Sequence, residues 1–172
     1  MSTTTMKKIC SIFIGAVTAP AYGEWIDLPA AEEDIQAIID DIQSNECEEY
    51  MISDFEGLLN VNEFSNPFEL NEKAEELDGM DENELDVIEC LISEAGFSVD
   101  EAINTVSSGD YRIYENCYSM TDIAYEVVDE CGYLHNVPDT VANYFDYEAF
   151  GRDLDLDGHF YYAGSGVYVE TF

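Results

Sequence analysis

Apolar residues recur along this chain with two spacings, one typical of strands and the other of helices. Residues 9–17 are almost continuously apolar and predict a buried first strand, and residues 23–29 predict a short second strand after a loop over 18–23. A helix is predicted over 30–43, because isoleucines recur there every three or four positions. This apolar stripe consists of Ile35, Ile38, Ile39 and Ile42. Residues 48–57 predict a third strand.

From residue 66 the spacing becomes helical. Three short helices are predicted over 66–77, 81–96 and 98–109, with Gly79 and Gly109 just after the first and at the end of the third. The rest of the middle helix is densely anionic, and its inner stripe consists of Leu85, Ile88, Leu91 and Ile92. We expect the three helices to form a small bundle.

Residues 111–132 predict a strand followed by a helix. The strand covers 111–117, and Ser119 and Asp122 resemble a capping box that begins the helix. A second helix is predicted over 137–153, where Gly151 is read as the stop. The end of the chain predicts a hairpin, because a Gly-Ser-Gly turn separates two segments rich in Tyr, Phe and Val.

These elements predict an α+β chain built from three small modules. The first is an N-terminal α/β module over 1–60, and the second is a central bundle of short helices over 61–109. The third is a C-terminal α/β module over 110–172, which ends in the hairpin.

Charge changes this picture more than any motif does. The 39 Asp and Glu residues face only five Lys and Arg residues, so the formal net charge is -34. The thirds 1–60, 61–109 and 110–172 carry -10, -13 and -11, which excludes an acidic tail on an otherwise ordinary domain. Such a surface repels phosphates and anionic lipid, so we expect neither direct nucleic-acid binding nor membrane binding. The 47% of hydrophobic residues nevertheless predicts a folded chain.

The cysteines and the N-terminal segment indicate the cellular compartment in which the protein is expected. The chain has five cysteines and no C-x-x-C pair, which favours neither a disulfide framework nor a zinc site and fits a reducing cytoplasm. Lys7 and Lys8 before the apolar run 9–17 imitate a secretory signal, although the run reads equally well as a strand. No segment has the roughly 18 consecutive apolar residues of a membrane span.

Residues 153–158 read DLDLDG, which matches the start of a calcium loop. The twelfth position of that loop is Gly164 instead of a bidentate Glu, so we favour an extended segment in which Leu154 and Leu156 face a core. In that reading Asp153, Asp155 and Asp157 form a solvated row.

No pattern in the chain points to catalysis. Neither His135 nor His159 has a nucleophile motif near it, and the phosphate-binding and zinc-protease motifs are absent from the sequence. We therefore expect a protein that is not an enzyme, with no cofactor and no metal.

The lone Arg152 lies beside Asp153 in a stretch without other bases, and we expect it to pair with carboxylates that tie the last helix to the hairpin. An interface contact is the alternative role. The aromatic residues nearby exceed what one small module needs inside, so some of them are candidates for a dimer interface. They are Tyr144, Phe145, Tyr147, Phe150, Phe160, Tyr161 and Tyr162.

A uniformly anionic fold can imitate DNA. Duplex DNA carries one charge per roughly 1.7 Å of its axis, so the charge of this chain corresponds to about 58 Å or about 17 base pairs. A sphere of this chain length would be about 40 Å across, so three modules in line match DNA better than a globe does. The candidate acids of this surface are Glu32, Glu33, Asp40, Asp41, Glu75, Glu76, Asp81, Glu82, Glu84, Asp86, Glu89, Asp122, Glu126, Asp129 and Glu130.

The segment 137–158 strongly resembles the antirestriction signature of the ArdA family of DNA-mimic proteins. The matching core residues are Tyr144, Asp146, Tyr147, Ala149, Gly151, Arg152, Asp153 and Leu154. The start of the chain is loosely similar to the start of that family, whereas the middle third agrees only in length, helicity and acidity. These core residues are candidates for the dimer interface.

This resemblance implies an elongated chain of three modules that dimerises through its C-terminal module. It also implies inhibition of type I restriction-modification enzymes, whose methyltransferase and endonuclease complex would be the partner in the host cytoplasm. Three other readings stay open at this point. They are a soluble domain of a halophile, a chaperone of basic nucleoid proteins, and a mimic directed at another defence nuclease such as a CRISPR effector.

Overall fold

The computed structural model describes residues 9–44 and 49–172, and these residues form an α+β fold with six strands and seven helices. The chain divides into two compact units, and the boundary lies between Leu85 and Asp86. The division into three modules over 1–60, 61–109 and 110–172 stays a prediction.

The first unit contains a three-stranded antiparallel sheet. Its strands are β1 (Cys10–Ala16), β2 (Ala19–Leu28) and β3 (Tyr50–Gly57), in the order β2-β1-β3. β1 is central and consists almost entirely of buried residues, as its apolar run predicts. The loop predicted over 18–23 is wrong, because β2 already begins at Ala19 and pairs with β1 up to that residue.

Two helices complete this unit, and both begin as predicted. In α1 (Glu32–Ser44), Ile35, Ile39 and Ile42 of the predicted stripe are buried, and Ile38 is half-buried. The helix α2 (Pro67–Asp78) begins at Asn66, whose side chain accepts a hydrogen bond from the backbone N–H of Phe68.

The buried Asn71 of α2 joins that helix to the segment between β2 and α1. Its side-chain oxygen accepts a 2.7 Å hydrogen bond from the backbone N–H of Ala30, and its amide nitrogen donates a 3.0 Å bond to the Ala30 carbonyl. Because both polar groups of this buried amide are paired, its burial carries no unsatisfied polar group.

The boundary between the units falls inside α3 (Glu82–Ser93), and α4 (Val99–Ser108) follows in the second unit. Ser98 and Glu101 form a complete capping box at the start of α4, and Gly109 ends it in the left-handed conformation with φ 73°. In α3 the predicted stripe is correct, since Leu85, Ile88 and Leu91 are buried and Ile92 is half-buried.

The second unit contains another three-stranded antiparallel sheet. It is formed by β4 (Tyr111–Glu115), β5 (Phe160–Gly164) and β6 (Val167–Thr171), in the order β4-β6-β5. The strands β5 and β6 are the predicted hairpin. Tyr114 of this sheet forms a buried cluster with Cys117 and Ile123.

Three helices lie between β4 and β5, namely α5 (Met120–Glu130), the single turn α6 (Asp139–Ala142) and α7 (Tyr147–Asp157). The one helix predicted over 137–153 is therefore wrong. Asp146 interrupts it, because its side chain accepts a 2.9 Å hydrogen bond from the backbone N–H of Ala149 and so begins a new helix.

Gly151 does not stop a helix, contrary to the prediction, but lies in the middle of α7. A Cβ atom at this position would clash with the backbone carbonyl of Met120 at the start of α5. Glycine is therefore required because the backbones of α5 and α7 approach each other too closely for any side chain.

The extended row predicted over 153–158 is also wrong, because Asp153–Asp157 continues α7 and only Gly158 ends it, with φ 74°. Leu154 packs against the buried cluster of the second unit, whereas Leu156 is 78% exposed. The three aspartates of the segment are solvated as expected, although they lie on a helix. This helical backbone is not the conformation of a calcium loop.

The helix start predicted at Ser119 and Asp122 is confirmed, although the backbone N–H that bonds to the Asp122 carboxylate is that of Tyr118. The Asp122 carboxylate accepts 2.9 Å hydrogen bonds from the backbone N–H of Tyr118 and from the Ser119 hydroxyl, while the Ser119 oxygen accepts one from the backbone N–H of Asp122. The bond from Tyr118 and then the one from Ser119 lower the pKa of Asp122.

We expect Gly151→Ala to destabilise the protein by about 1–3 kcal/mol, because the added methyl group must push α5 and α7 apart. Urea unfolding followed by far-UV circular dichroism measures the change. Gly79→Ala is the matched control, since Gly79 has a φ of -77° and a Cβ there would meet its nearest atom at 3.5 Å. Equal stability of the two variants would contradict the close approach of the helices.

We expect Asp122→Ala to lower the free energy of unfolding at pH 7 by about 0.5–1 kcal/mol, because two accepted hydrogen bonds are lost. Since folding lowers the pKa of Asp122, its contribution is present above the ordinary carboxyl pKa and disappears as the pH falls through the lowered value. The difference between variant and parent should therefore vanish in acid. Asp129→Ala, an exposed change on the same helix, should show no such pH-dependent difference.

Candidate functional site

The carboxylates of the described residues lie at the surface. Of the 37 described Asp and Glu residues, 34 are exposed and none is buried. The three half-buried ones are Glu84, Asp122 and Glu170. Thirteen of the fifteen predicted surface acids are therefore exposed, and the other two, Glu84 and Asp122, are half-buried.

Both units share this charge. Residues 1–85 hold 21 acids and three bases, a net charge of -18, and residues 86–172 hold 18 acids and two bases, a net charge of -16. None of the described helices has a basic residue in its last turn. The negative surface is thus a property of each unit by itself.

Some of these acids have local structural roles. Asp81 and Glu84 bond reciprocally at the start of α3, where each carboxylate accepts a 2.9 Å hydrogen bond from the backbone N–H of the other residue. In α4 the Ser98 hydroxyl and then its backbone N–H lower the pKa of Glu101. Acids in these positions are also favoured by the positive end of the helix dipole.

Arg112 of β4 is the centre of a polar group in the second unit. Its guanidinium forms a 2.6 Å ion pair with Glu130 of α5 and a 3.3 Å hydrogen bond with the Tyr114 hydroxyl. Tyr114 in turn donates a 2.9 Å hydrogen bond to Glu170 of β6, and burial raises the pKa of Tyr114 to about 12. Glu130 is thus exposed but already paired.

Half of the residues of the predicted antirestriction signature have structural roles within the second unit. Tyr147 stacks on Tyr125 of α5, with ring centroids 3.8 Å apart and an interplanar angle of 18°. Asp146 caps α7 through Ala149, Gly151 permits the contact with α5, and Leu154 reaches the buried cluster. These residues hold α7 against α5.

The other part of the signature is exposed. Tyr144 is 87% exposed, and Arg152 and Asp153 lie on the surface of α7. The expected pairing of Arg152 is wrong, because its side chain makes no hydrogen bond or ion pair with any described residue. This leaves one exposed cation on a helix that otherwise carries acids.

Most of the aromatic residues proposed for an interface contact another aromatic ring within the second unit. The ring of Phe145 lies edge-on to those of Tyr147 and Phe150, at centroid distances of 4.8 and 5.6 Å. Phe160 contacts Tyr114, and Tyr161 contacts Phe97. Tyr144 is the most exposed of the group.

Three of the four described cysteines have buried thiols. Cys10, Cys90 and Cys117 are buried and Cys131 is exposed, whereas Cys47 lies outside the described residues. Burial, followed by the charges of Glu94 and Glu89, raises the pKa of Cys90 to about 11. A thiol in this state is a poor nucleophile at neutral pH.

The sequence pattern does not indicate the exposure of Trp25. The alternation of residues 23–29 assigns it to a strand, but its side chain is 44% exposed, on the face of the sheet where its ring meets that of Phe13 edge-on. The feature of the sequence that could have indicated this exposure is the position of Trp25 between acidic residues, because Glu24 precedes it and Asp27 follows two residues later.

Across the described residues, no helix combines the length and the apolarity needed to cross a membrane. The search of curated proteins found no match. A family model described as antirestriction protein (ArdA) matches residues 18–169, which is nearly the whole chain and includes both units and the C-terminal signature. The chain therefore belongs to the ArdA family of antirestriction proteins.

Proposed function

We propose that this protein inhibits type I restriction-modification enzymes by occupying their DNA-binding groove with its carboxylates. Membership of an antirestriction family points to restriction-modification enzymes as targets. The observation that carries the mechanism is the exposure of 34 of the 37 described acids in a chain with a net charge of -34. A groove built for DNA phosphates attracts such a surface over long range.

The spacing of acids along single helices supports this mechanism. α1 has five acids between residues 32 and 41, and at a rise of about 1.5 Å per residue they span roughly 14 Å. Five more acids lie between residues 81 and 89, over roughly 12 Å. Successive acids are therefore on average about 3.0–3.4 Å apart along the helix axis, close to the roughly 3.4 Å per charge of one DNA strand.

Homodimerisation through the C-terminal unit is part of the proposal. Tyr144 and Arg152 belong to the exposed part of the signature and supply an aromatic ring and a cation. Arg152 makes no side-chain ion pair within the described chain. Aromatic residues and arginine are enriched in protein interfaces. A second copy would supply carboxylates to Arg152, because each copy is strongly acidic. The protein would act in the host cytoplasm, where the enzymes meet invading DNA.

Displacement of DNA tests the target. We expect the protein to release labelled DNA from a purified type I methyltransferase at modest salt, and the release should weaken steeply as salt rises, because both ligands bind through charge. Fluorescence anisotropy of the DNA measures it.

A neutral protein of the same size is the control for crowding. Undisturbed DNA binding at stoichiometric protein would contradict the proposed target. Inhibition of a CRISPR effector without any effect on the methyltransferase would assign the mimicry to another defence enzyme.

Distributed binding is the second expectation. Single changes of Glu32, Glu33 or Asp40 to the corresponding amide should each weaken inhibition by less than about five-fold, because exposed ion pairs contribute about 0.2–1 kcal/mol. The triple variant should weaken it by about ten-fold if the effects add. Titration of DNA displacement with each variant measures these changes.

Gln43→Ala on the same helix is the matched neutral control, and circular dichroism of each variant confirms that α1 is retained. A single acid whose loss abolishes inhibition would contradict distributed binding and would indicate a localised hot spot.

A further inference from the structure

A groove of about 530 Å³ lies in the first unit, between the edge strand β2 and one face of α1. Six consecutive residues of β2, 22–27, line one side of it. The residues of α1 that line the other side share one helix face, and they are Asp34, Ala37, Ile38, Asp41 and Ile42. Because the side chains of a strand alternate between its two faces, six consecutive residues line one groove only where the edge of the strand forms the wall.

The hydrogen bonds of β1 show which backbone groups form this edge. On the side of β3, the Ile9 carbonyl accepts a 2.8 Å hydrogen bond from the backbone N–H of Leu58. Because the backbone groups of successive residues point to opposite sides of a strand, the even-numbered residues of β1 from Cys10 to Ile14 point toward β2. Ile12 is opposite Ile26 in the register, so these two residues form a hydrogen-bonded pair. The N–H and C=O groups of the preceding residue, Trp25, therefore point away from β1.

Gly23, two residues before Trp25, has the same backbone orientation. Both residues line the groove with backbone atoms, because Gly23 has no side chain and the Trp25 ring lies on the other face of the sheet with Phe13. Within the described residues, β2 is the outermost strand on this side of the sheet. At the other edge, the Ile52 N–H of β3 donates a 3.2 Å hydrogen bond to the Glu63 carbonyl. The edge of β2 is therefore the one that offers backbone groups to another strand.

The side chains around the groove are acidic or apolar. Glu24 of β2 and Asp34 of α1 are exposed acids on its two sides, and Ile38 is half-buried between them and the sheet. The Tyr22 hydroxyl donates a 2.7 Å hydrogen bond to Asp41, which links the edge strand to the helix. None of the described residues that line the groove is basic. The groove therefore suits an extended segment that carries positive charge.

Charge also decides against a second copy of this chain as the occupant. Pairing of β2 with the β2 strand of another copy would bring Glu24 and Asp27 of both copies onto neighbouring strands, where like charges repel. Charged residues on an edge strand are a common protection against such association. A basic strand meets no such repulsion.

We infer that the edge of β2 receives an extended basic segment of the partner protein as an additional antiparallel strand, with alternate basic side chains on Glu24 and Asp34. In strand addition, backbone hydrogen bonds supply affinity and alternate side chains supply specificity. The inference deepens the proposed function and rests on it for the source of the basic segment. It differs from the imitation of phosphates because it requires a peptide backbone in the partner.

Amide hydrogen exchange followed by NMR tests the edge directly. The ligand is the peptide acetyl-Lys-Val-Lys-Val-Lys-Val-Lys-amide, which is roughly 24 Å long when extended and so covers residues 22–27. At saturating peptide we expect exchange of the Gly23 and Trp25 amides to slow by about ten-fold, and that of Glu24 and Ile26, which already bond to β1, to change little. Binding without slower exchange at Gly23 and Trp25 would overturn the strand addition. Slow exchange of both amides without peptide, lost on dilution, would indicate a second copy and would overturn the basic partner.

Two N-methylated forms of the peptide are matched probes of its backbone. Residues opposite each other in a sheet share a face, so lysines that reach Glu24 point their N–H groups away from β2, whereas the valines point theirs toward Gly23 and Trp25. Methylation of the three valine amides should weaken binding by at least about ten-fold, and methylation of three lysine amides by less than about two-fold. Equal binding of the two forms would overturn the pairing.

Matched variants separate the groove from the general charge. Glu24→Gln with Asp34→Asn should weaken binding of the peptide by about three- to ten-fold. Glu126→Gln with Asp129→Asn removes the same charge from exposed positions of α5 and should change binding by less than about two-fold. Circular dichroism confirms the fold of both. Similar losses in the two double variants would show general attraction and would overturn the groove.

The DNA-displacement assay keeps this inference apart from the proposed function. Slower exchange at Gly23 and Trp25 with the peptide, but no displacement of DNA from the methyltransferase, would retain the strand addition and reject the target. Displacement of DNA without slower exchange at these two amides would retain the target and reject the strand addition.

Discussion

Uncompensated negative charge is the constraint on which this structure depends. With 39 acids and five bases, carboxylates cannot be neutralised in pairs, and burial of an unpaired carboxylate is costly. Every described acid accordingly keeps contact with solvent. The apolar residues must hold the chain together against this repulsion, which fits the full burial of Ile12 and Ile14 in the first unit and of Ile123 and Val169 in the second. Each unit has its own core.

The same constraint gives the acids two roles. Asp81, Glu101, Asp122 and Asp146 accept hydrogen bonds from N–H groups at helix starts, where negative charge stabilises the helix. Others, such as Asp40 or Glu126, lie further along their helices, where the dipole no longer favours them. An anionic mimic needs acids of the second kind, because acids engaged in caps have less freedom to meet a partner.

Local rules predicted much of this fold. The spacing of Ile35, Ile39 and Ile42 depends only on helix geometry, and the pairing of Ser119 with Asp122 depends on four neighbouring residues, so both follow from the sequence.

The predictions that were wrong concern residues whose structure depends on contacts with distant parts of the chain. Gly151 resembles a helix stop until the Met120 carbonyl is known to lie against it, and the alternation around Leu154 resembles a strand until α7 is seen to continue. The exposure of thirteen of the fifteen candidate acids follows from charge alone, because an unpaired carboxylate is costly to bury.

The buried thiol of Cys90 shows a chemical consequence of so much negative charge. Glu89 and Glu94 flank it, and with burial they keep its proton bound far above physiological pH. Peroxides and electrophiles react with the thiolate, so this site offers them almost no reactive form. Burial and, to a lesser degree, the neighbouring carboxylates thus keep this sulfur in its less reactive protonated form, so the same charge that repels anions from the surface also disfavours a second negative charge inside.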